Sequence, residues 1–406
     1  MAIDLAAREL SREGLEGAPT AAIAGGRPAT GLAKAGAKGR NGGIDALRAA
    51  VTLLVVFHHS AITYGAIGGW YYREIAPSMS LSGVLLILFC TINQAWFMGL
   101  FFLLAGYFTP PAYDRHGPGG FIRERVIRLG VPLVVYFLLL HPLTVALAET
   151  AKGRSFMTGF VYQWTHARFE PGPLWFAEAL LIFAAAWLSW RLLRKSAPAA
   201  DQTSYPSNRM LLGAVLLTGL AAFLLRLVWP VGVNVAFLQL GYFASYIALF
   251  AAGCAAANGR WLERIPKPSS QLWLKIGWIA CPILPLAGLL DLHFHVFPGP
   301  SEGGFNPQAV LYAFWEPFVA LGFILGLLSF FQRHFAVLNG AWTSLARRAF
   351  LIYIIHPPVL VGVAIAWRDV GAPALLKFLL TGSMACALCY LVAGVLLRVP
   401  AVARIV

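Results

Sequence analysis

Arg48 and His59 stand eleven residues apart in the stretch IDALRAAVTLLVVFHHSA, residues 44–61. At about 100° per residue, eleven steps overshoot three full helical turns by about 20°, so the two side chains share one helix face. Along the axis they are separated by about 16 Å, at about 1.5 Å per residue. Arginine presents a planar fork that suits phosphate, and a neutral imidazole accepts a proton. One stripe thus carries an anion-binding group at one end and a base toward the other. That spacing suits an elongated anionic ligand whose charged head meets Arg48 and whose reactive end approaches His59. His58 points about 100° away, toward a neighbouring helix or a bound substrate. A single histidine in a helix bundle is often a hydrogen-bonded packing residue, and it is the pairing with Arg48 that lifts His59 above that reading.

The other candidates are ionisable or amphipathic residues in apolar surroundings, where such groups are costly and seldom accidental. Asp45, three residues before Arg48, either holds the guanidinium or serves the helix start. Glu178 in WFAEALL and Glu316 in FWEPF are expected at the catalytic site if either fixes the tautomer of His59, as in a triad. Alternatively each satisfies a broken helix turn, since Pro317 directly follows Glu316. His356, ahead of Pro357 and Pro358, either binds substrate or satisfies a kinked backbone. Trp175, near a helix start, is an interface anchor or a substrate contact. Asn93, Gln94 and Trp96 either line a cavity or pack between helices.

The elements that must position these residues are apolar. The chain has 406 residues, 59% hydrophobic and 12% charged, with mean hydropathy +0.71. A soluble domain is nearer one quarter charged. The excess falls in blocks of the roughly 20 residues that span a bilayer. Ten such segments lie near 44–64, 81–108, 129–148, 173–190, 210–229, 236–257, 272–290, 309–331, 347–367 and 374–397. Residues 1–40, rich in Ala and Gly, are expected to form a disordered tail, with one ten-helix membrane domain over 41–406. The tail has no h-region of a cleavable signal.

With the amino terminus inside, 24 of the 31 Lys and Arg residues fall on the cytoplasmic side and seven on the other. That asymmetry predicts an all-α polytopic protein with both termini cytoplasmic. The formal charge of +14 is then membrane-flanking charge. The aromatics lie inside apolar segments, which speaks against a nucleic-acid partner. Cys386 and Cys389 have C-x-x-C spacing but lie inside an apolar helix, so core packing is expected rather than metal or redox chemistry.

Arg48 and His59 match the R-x10-H pattern of the membrane-bound acyltransferase-3 family, which this chain resembles over about 41–398. FFLLAGYF, 101–108, resembles that family's FFxLSGF run, with Ala105 where Ser is usual. FIRERVIRLGVPL, 121–133, resembles its R-x-x-R-L-x-P segment through Arg125, Arg128 and Pro132. GPLWFAEALL, 172–181, and LIYIIHPPVL, 351–360, resemble later signatures. HPP, WEPF and the lack of a fused soluble domain look most like the branch that decorates periplasmic glucans, including with succinyl groups.

The resemblance implies a bacterial inner-membrane enzyme that moves an acyl group, acetyl or succinyl, from acyl-CoA to a hydroxyl of a glycan or similar acceptor. Acyl-CoA would be a co-substrate, with no permanently bound cofactor and no metal. His59 would act as general base or form a transient acyl-histidine. Arg48, Arg125 and Arg128 would hold the donor's phosphates, although positive-inside anchoring also explains the last two. Buried Glu, His and Arg on ten helices would equally suit a proton-coupled transporter or a flippase. A transporter is expected to show matched broken helices in its two halves. Helices one and two carry no Gly/Pro break matched in the second half.

Overall fold

The computed structural model describes residues 41–194, 204–295 and 299–405. The expected tail, 1–40, and Lys195 lie outside them. Among the described residues the fold is helical with no strand, apart from a single isolated bridge between Val235 and Leu238.

Among the described residues, nine helical stretches are long and apolar enough to cross a membrane. One of them, Leu81–Thr150, has 70 residues, more than twice what a bilayer needs. It turns at Gly117, whose backbone (φ +66°, ψ 178°) is not helical, just ahead of Pro118. Counted as two passes, it brings the crossings to ten. The helices are α1 (Gly42–Thr63), α2 (Leu81–Arg125), α3 (Val131–Val135), α4 (His141–Thr150), α5 (Phe156–Thr165), α6 (Trp175–Leu193) and α7 (Asn208–Val228). There follow α8 (Phe243–Gly259), α9 (Lys267–Ala280), α10 (Ile283–Phe294), α11 (Pro307–His334), α12 (Gly340–Ala366), α13 (Ala374–Leu396) and the short α14 (Pro400–Ile405).

Three corrections to the sequence reading have local causes. The segment expected at 272–290 is two helices, parted at Cys281 and Pro282. The segment expected to start at 236 begins its α-helix only at Phe243, because Ala236 and Phe237 hold left-handed backbone. The stretch between 149 and 172, expected as a gap, contains α5.

The centre of the bundle is set by burial. In α1, α11 and α12, 67% of the most apolar window is buried, against 28% in α7 and α13, so the first three are inner helices and the others face lipid. α1 packs on α12, α13, α11 and α2. Its start is fixed by the side chain of Asn41, which accepts from the Ile44 amide at 3.2 Å. Gly42 and Gly43 allow it to lean on the end of α11; a Cβ at either would come within 2.6 Å of that segment's backbone. α1 therefore runs through the core with Arg48 near one end of the bundle and His59 near the other.

Candidate active site

Pro357 and Pro358 lie inside α12. A proline at position 357 has no N–H for the carbonyl four residues back, that of Tyr353. The structure fills the vacancy with a side chain: His356 Nδ1 lies 2.7 Å from the Tyr353 carbonyl. A carbonyl only accepts, so His356 carries its proton on Nδ1 and, in the neutral ring, presents Nε2 as an acceptor. That Nε2 lies 3.1 Å from His59 Nδ1. His59 must then donate from Nδ1, which leaves its Nε2 with a lone pair. Two histidines and a proline-freed carbonyl thus fix which nitrogen of His59 is basic.

A third ring completes the stack. The indole of Trp70 lies 4.0 Å from the His59 imidazole at 17°, and His356 lies 5.0 Å from it on a near-parallel plane. Trp70 is on the 64–80 loop, which folds back over the end of α1. Arg73 donates to the Ala66 and Gly68 carbonyls at 2.8 and 2.7 Å, and the Glu74 amide donates to the Thr63 carbonyl at 2.9 Å. Next to Trp70, the Tyr71 hydroxyl lies 2.9 Å from that of Tyr136 and 3.2 Å from His141 Nδ1. Burial pushes the Tyr71 phenol upward, so it stays protonated.

His59 opens onto a cavity of about 870 Å3. Its walls include His58, Gln94, Trp175, Tyr242, Tyr246 and Tyr312. Gln94 Nε2 lies 3.4 Å from the Tyr246 hydroxyl, and the Tyr242 and Tyr312 hydroxyls are 3.3 Å apart. His58 packs its ring 4.9 Å from Phe97, and its buried Nδ1 has no partner in the protein. The cavity reaches the loops around Gly68, Asn234 and Glu302, at the opposite end of α1 from Arg48.

The acyltransferase-domain family model, acyltransferase 3, matches residues 41–394. The chain belongs to this family. Searches of curated proteins and of solved structures return no match. The protein is a multi-pass membrane acyltransferase, and the match runs from the start of α1 almost to the end of α13.

In this acyltransferase the remaining sequence candidates fall into distinct places. Arg48 pairs with Asp45 at 3.1 Å and keeps 39% of its side chain exposed. Arg125, over the Phe121 ring at 5.1 Å, donates to Thr109 at 3.5 Å. Arg128 is exposed and pairs with Glu124 at 3.1 Å. Both lie beyond the Gly117 turn, at the Arg48 end of the bundle.

The structure supplies the partner of His59 from His356 rather than from either carboxylate. Glu316 is buried in an ion pair with Arg226 and accepts from Ser245 at 2.6 Å. Glu178, in the first turn of α6, makes no bond to His59 or His356. His356 is fully buried behind His59 and is not part of the cavity wall. Trp175 does line the cavity and stacks on Tyr246 at 5.7 Å. Of the helix-two candidates, Gln94 lines the cavity, Trp96 packs on Phe323, and Asn93 is buried.

Sequence reasoning missed Trp70 and the tyrosine wall. The aromatic run WYYREI, bounded by Gly69, was the available signal, because three aromatics in a loop between spanning helices need something to pack on.

Proposed function

We propose that the protein is an inner-membrane O-acyltransferase that uses His59 Nε2 as general base. Acyl-CoA enters from the Arg48 end, which faces the cytoplasm, with Arg48, Arg125 and Arg128 on its phosphates. The acceptor, a hydroxyl of a glycan or related molecule, enters the cavity from the opposite end. Nε2 takes the hydroxyl proton as the oxygen attacks the thioester carbonyl carbon. The carbon–sulfur bond then breaks, and the imidazolium returns the proton to the leaving thiolate. The products are an ester and free CoA. The acyl group is acetyl or succinyl, in line with the glucan-modifying branch that the sequence resembles. The observation that carries this reading is the chain from the Tyr353 carbonyl through His356 to His59, which holds one lone pair available.

The test is CoA release from acetyl-CoA and succinyl-CoA by protein in nanodiscs, with a mixed glucan acceptor. His59→Ala is expected to lose about 10²–10⁴-fold in turnover while still binding donor. Arg48→Ala is expected to raise the donor KM about 10–100-fold, the effect of losing a charge-assisted phosphate contact. A dead His58→Ala beside an active His59→Ala would move the base from His59 to His58. Binding of neither CoA thioester would instead favour proton-coupled transport.

A further inference from the structure

The cavity that holds His59 reaches the rim of the bundle at two places of different chemistry. One is the mouth between the loops, with Gly68, Gly69, Asn234 and Glu302. The other is a slot at membrane depth, between α2 and α10. On α2 the cavity is lined by Val84, Ile87, Leu88, Cys90, Thr91, Gln94, Phe97 and Met98, most of them at the three- and four-residue spacing of one broad helix face. From the outer end this face is apolar through Leu88, and its polar members, Thr91 and Gln94, come only deeper in, ahead of Phe97 and Met98.

A vestibule for water would show the reverse order. Opposite stand Leu284, Pro285, Ala287, Gly288 and Leu289 on α10. α10 packs on α9 and α11, while the cavity separates it from α2. Leu289, which lines the slot, is itself 44% exposed, and it stands beside Leu286 and Leu290 of α10 and Leu85 of α2 on the apolar outer surface.

The far wall is polar. The Tyr242–Tyr312 and Gln94–Tyr246 pairs face into the cavity. Two buried donor-capable atoms on its lining, Gln308 Nε2 and His58 Nδ1, have no partner in the protein. Unpaired buried polar atoms are costly, and a hydroxyl-rich ligand would satisfy both. Aromatic faces and amide groups also suit a sugar ring.

We propose that the acceptor is an amphiphile, a lipid-linked sugar whose head sits on the tyrosine wall beside His59 and whose hydrocarbon tail leaves through the α2–α10 slot into the bilayer. This rests on the acyl-transfer reading of the same cavity. A water-soluble glycan would use the loop mouth alone and leave the slot without a role. A lipid-linked glycan uses both exits, since its further sugars leave through the mouth.

The experiment uses two photoreactive probes of equal chain length in nanodiscs holding the full chain. One is an alkyl glucoside with a diazirine in its tail, the other the matching alkyl phosphocholine. Adducts are mapped by mass spectrometry. The glucoside is expected to label the 84–88 and 284–289 segments, and excess dodecyl glucoside is expected to suppress that labelling. Equal labelling by the phosphocholine would mean that ordinary lipid fills the slot, and labelling elsewhere would mean that no tail lies there; either result overturns the proposal.

A Cβ on Gly288 meets nothing within 4 Å, so Gly288→Trp can fill the slot without a clash at the backbone. That variant is expected to lower glucoside labelling about tenfold, equivalent to returning about two methylene groups to water. It is also expected to raise the KM for dodecyl glucoside more than that for methyl glucoside. Absence of acyl transfer to any glucoside would count against the acyl-transfer reading, whereas the labelling reports on the slot independently of turnover.

Discussion

The indole of Trp70 does two things for His59. It fixes the ring plane, and its π face favours the imidazolium that forms when the base takes a proton. Such a contact is worth about 0.5–2 kcal/mol, or about 2–30-fold in rate. Trp70→Ala is therefore expected to lower kcat by that factor with little change in donor KM, and Trp70→Phe to recover part of it. Equal losses in donor affinity would place Trp70 in donor binding instead. His356 acts at one remove, because it touches His59 rather than substrate. His356→Ala frees His59 to rotate and to protonate on either nitrogen; kcat is expected to fall about 10²-fold. His356→Asn offers an amide in the same direction and is expected to restore part of the rate, a rescue that a purely packing role would not give. At this scale the sequence was half legible. The Arg48–His59 stripe follows from helix geometry within one segment. The bond from His59 to His356 joins residues 297 apart, and no local pattern reports it. HPP pointed to a freed carbonyl and to His356 as one group that could satisfy it, but not to His59 as the ring on its other nitrogen.

Between elements, the loop that carries Trp70 is latched to α13. Lys377, almost fully buried, forms an ion pair with Glu74 and donates to the Arg368 carbonyl at 2.9 Å. Its ammonium lies 5.3 Å from the Trp367 ring centroid. Removing one member of a buried pair leaves the other charge uncompensated, at a cost of about 3–5 kcal/mol. Lys377→Met is thus expected to lower thermal stability and, by loosening the 64–80 loop, to lower turnover as well. The double variant Lys377→Met, Glu74→Gln is expected to regain most of the stability, because no unpaired charge is left. Additive losses in that cycle would show that the pair contributes little. The Arg226–Glu316 pair follows the same rule between α7 and α11. From sequence alone both pairs were invisible: Arg226 and Lys377 counted as outer-side charges, and Glu316 as a candidate for the site. A charge near the end of an apolar segment looks the same whether it meets a headgroup or a carboxylate from another helix.

Across the whole molecule, the ten crossings were legible because each element is about as long as the bilayer is thick and needs little tertiary information to be recognised. The interruptions were harder. Gly117 turns the chain at one residue inside an otherwise continuous helical run, and α9 and α10 part at a single Cys–Pro step, where apolar character continues through the break. An even number of crossings puts both ends on one face, and the 24 to seven division of Lys and Arg is the ground for proposing that this face is the cytoplasmic one. That orientation matters for the proposed chemistry, since it would place Arg48 where acyl-CoA is made and open the His59 cavity to the far side. Two exposed positions at opposite ends of the bundle test it: Ser78 in the loop before α2, and Val337, 91% exposed, between α11 and α12. With the five native cysteines replaced, Ser78→Cys is expected to react with a membrane-impermeant maleimide in intact spheroplasts. Val337→Cys is expected to react only after the membrane is opened. The reverse pattern would turn the molecule over. Donor and acceptor would then have to exchange entrances, and Arg48 could not be the group that meets cytoplasmic acyl-CoA.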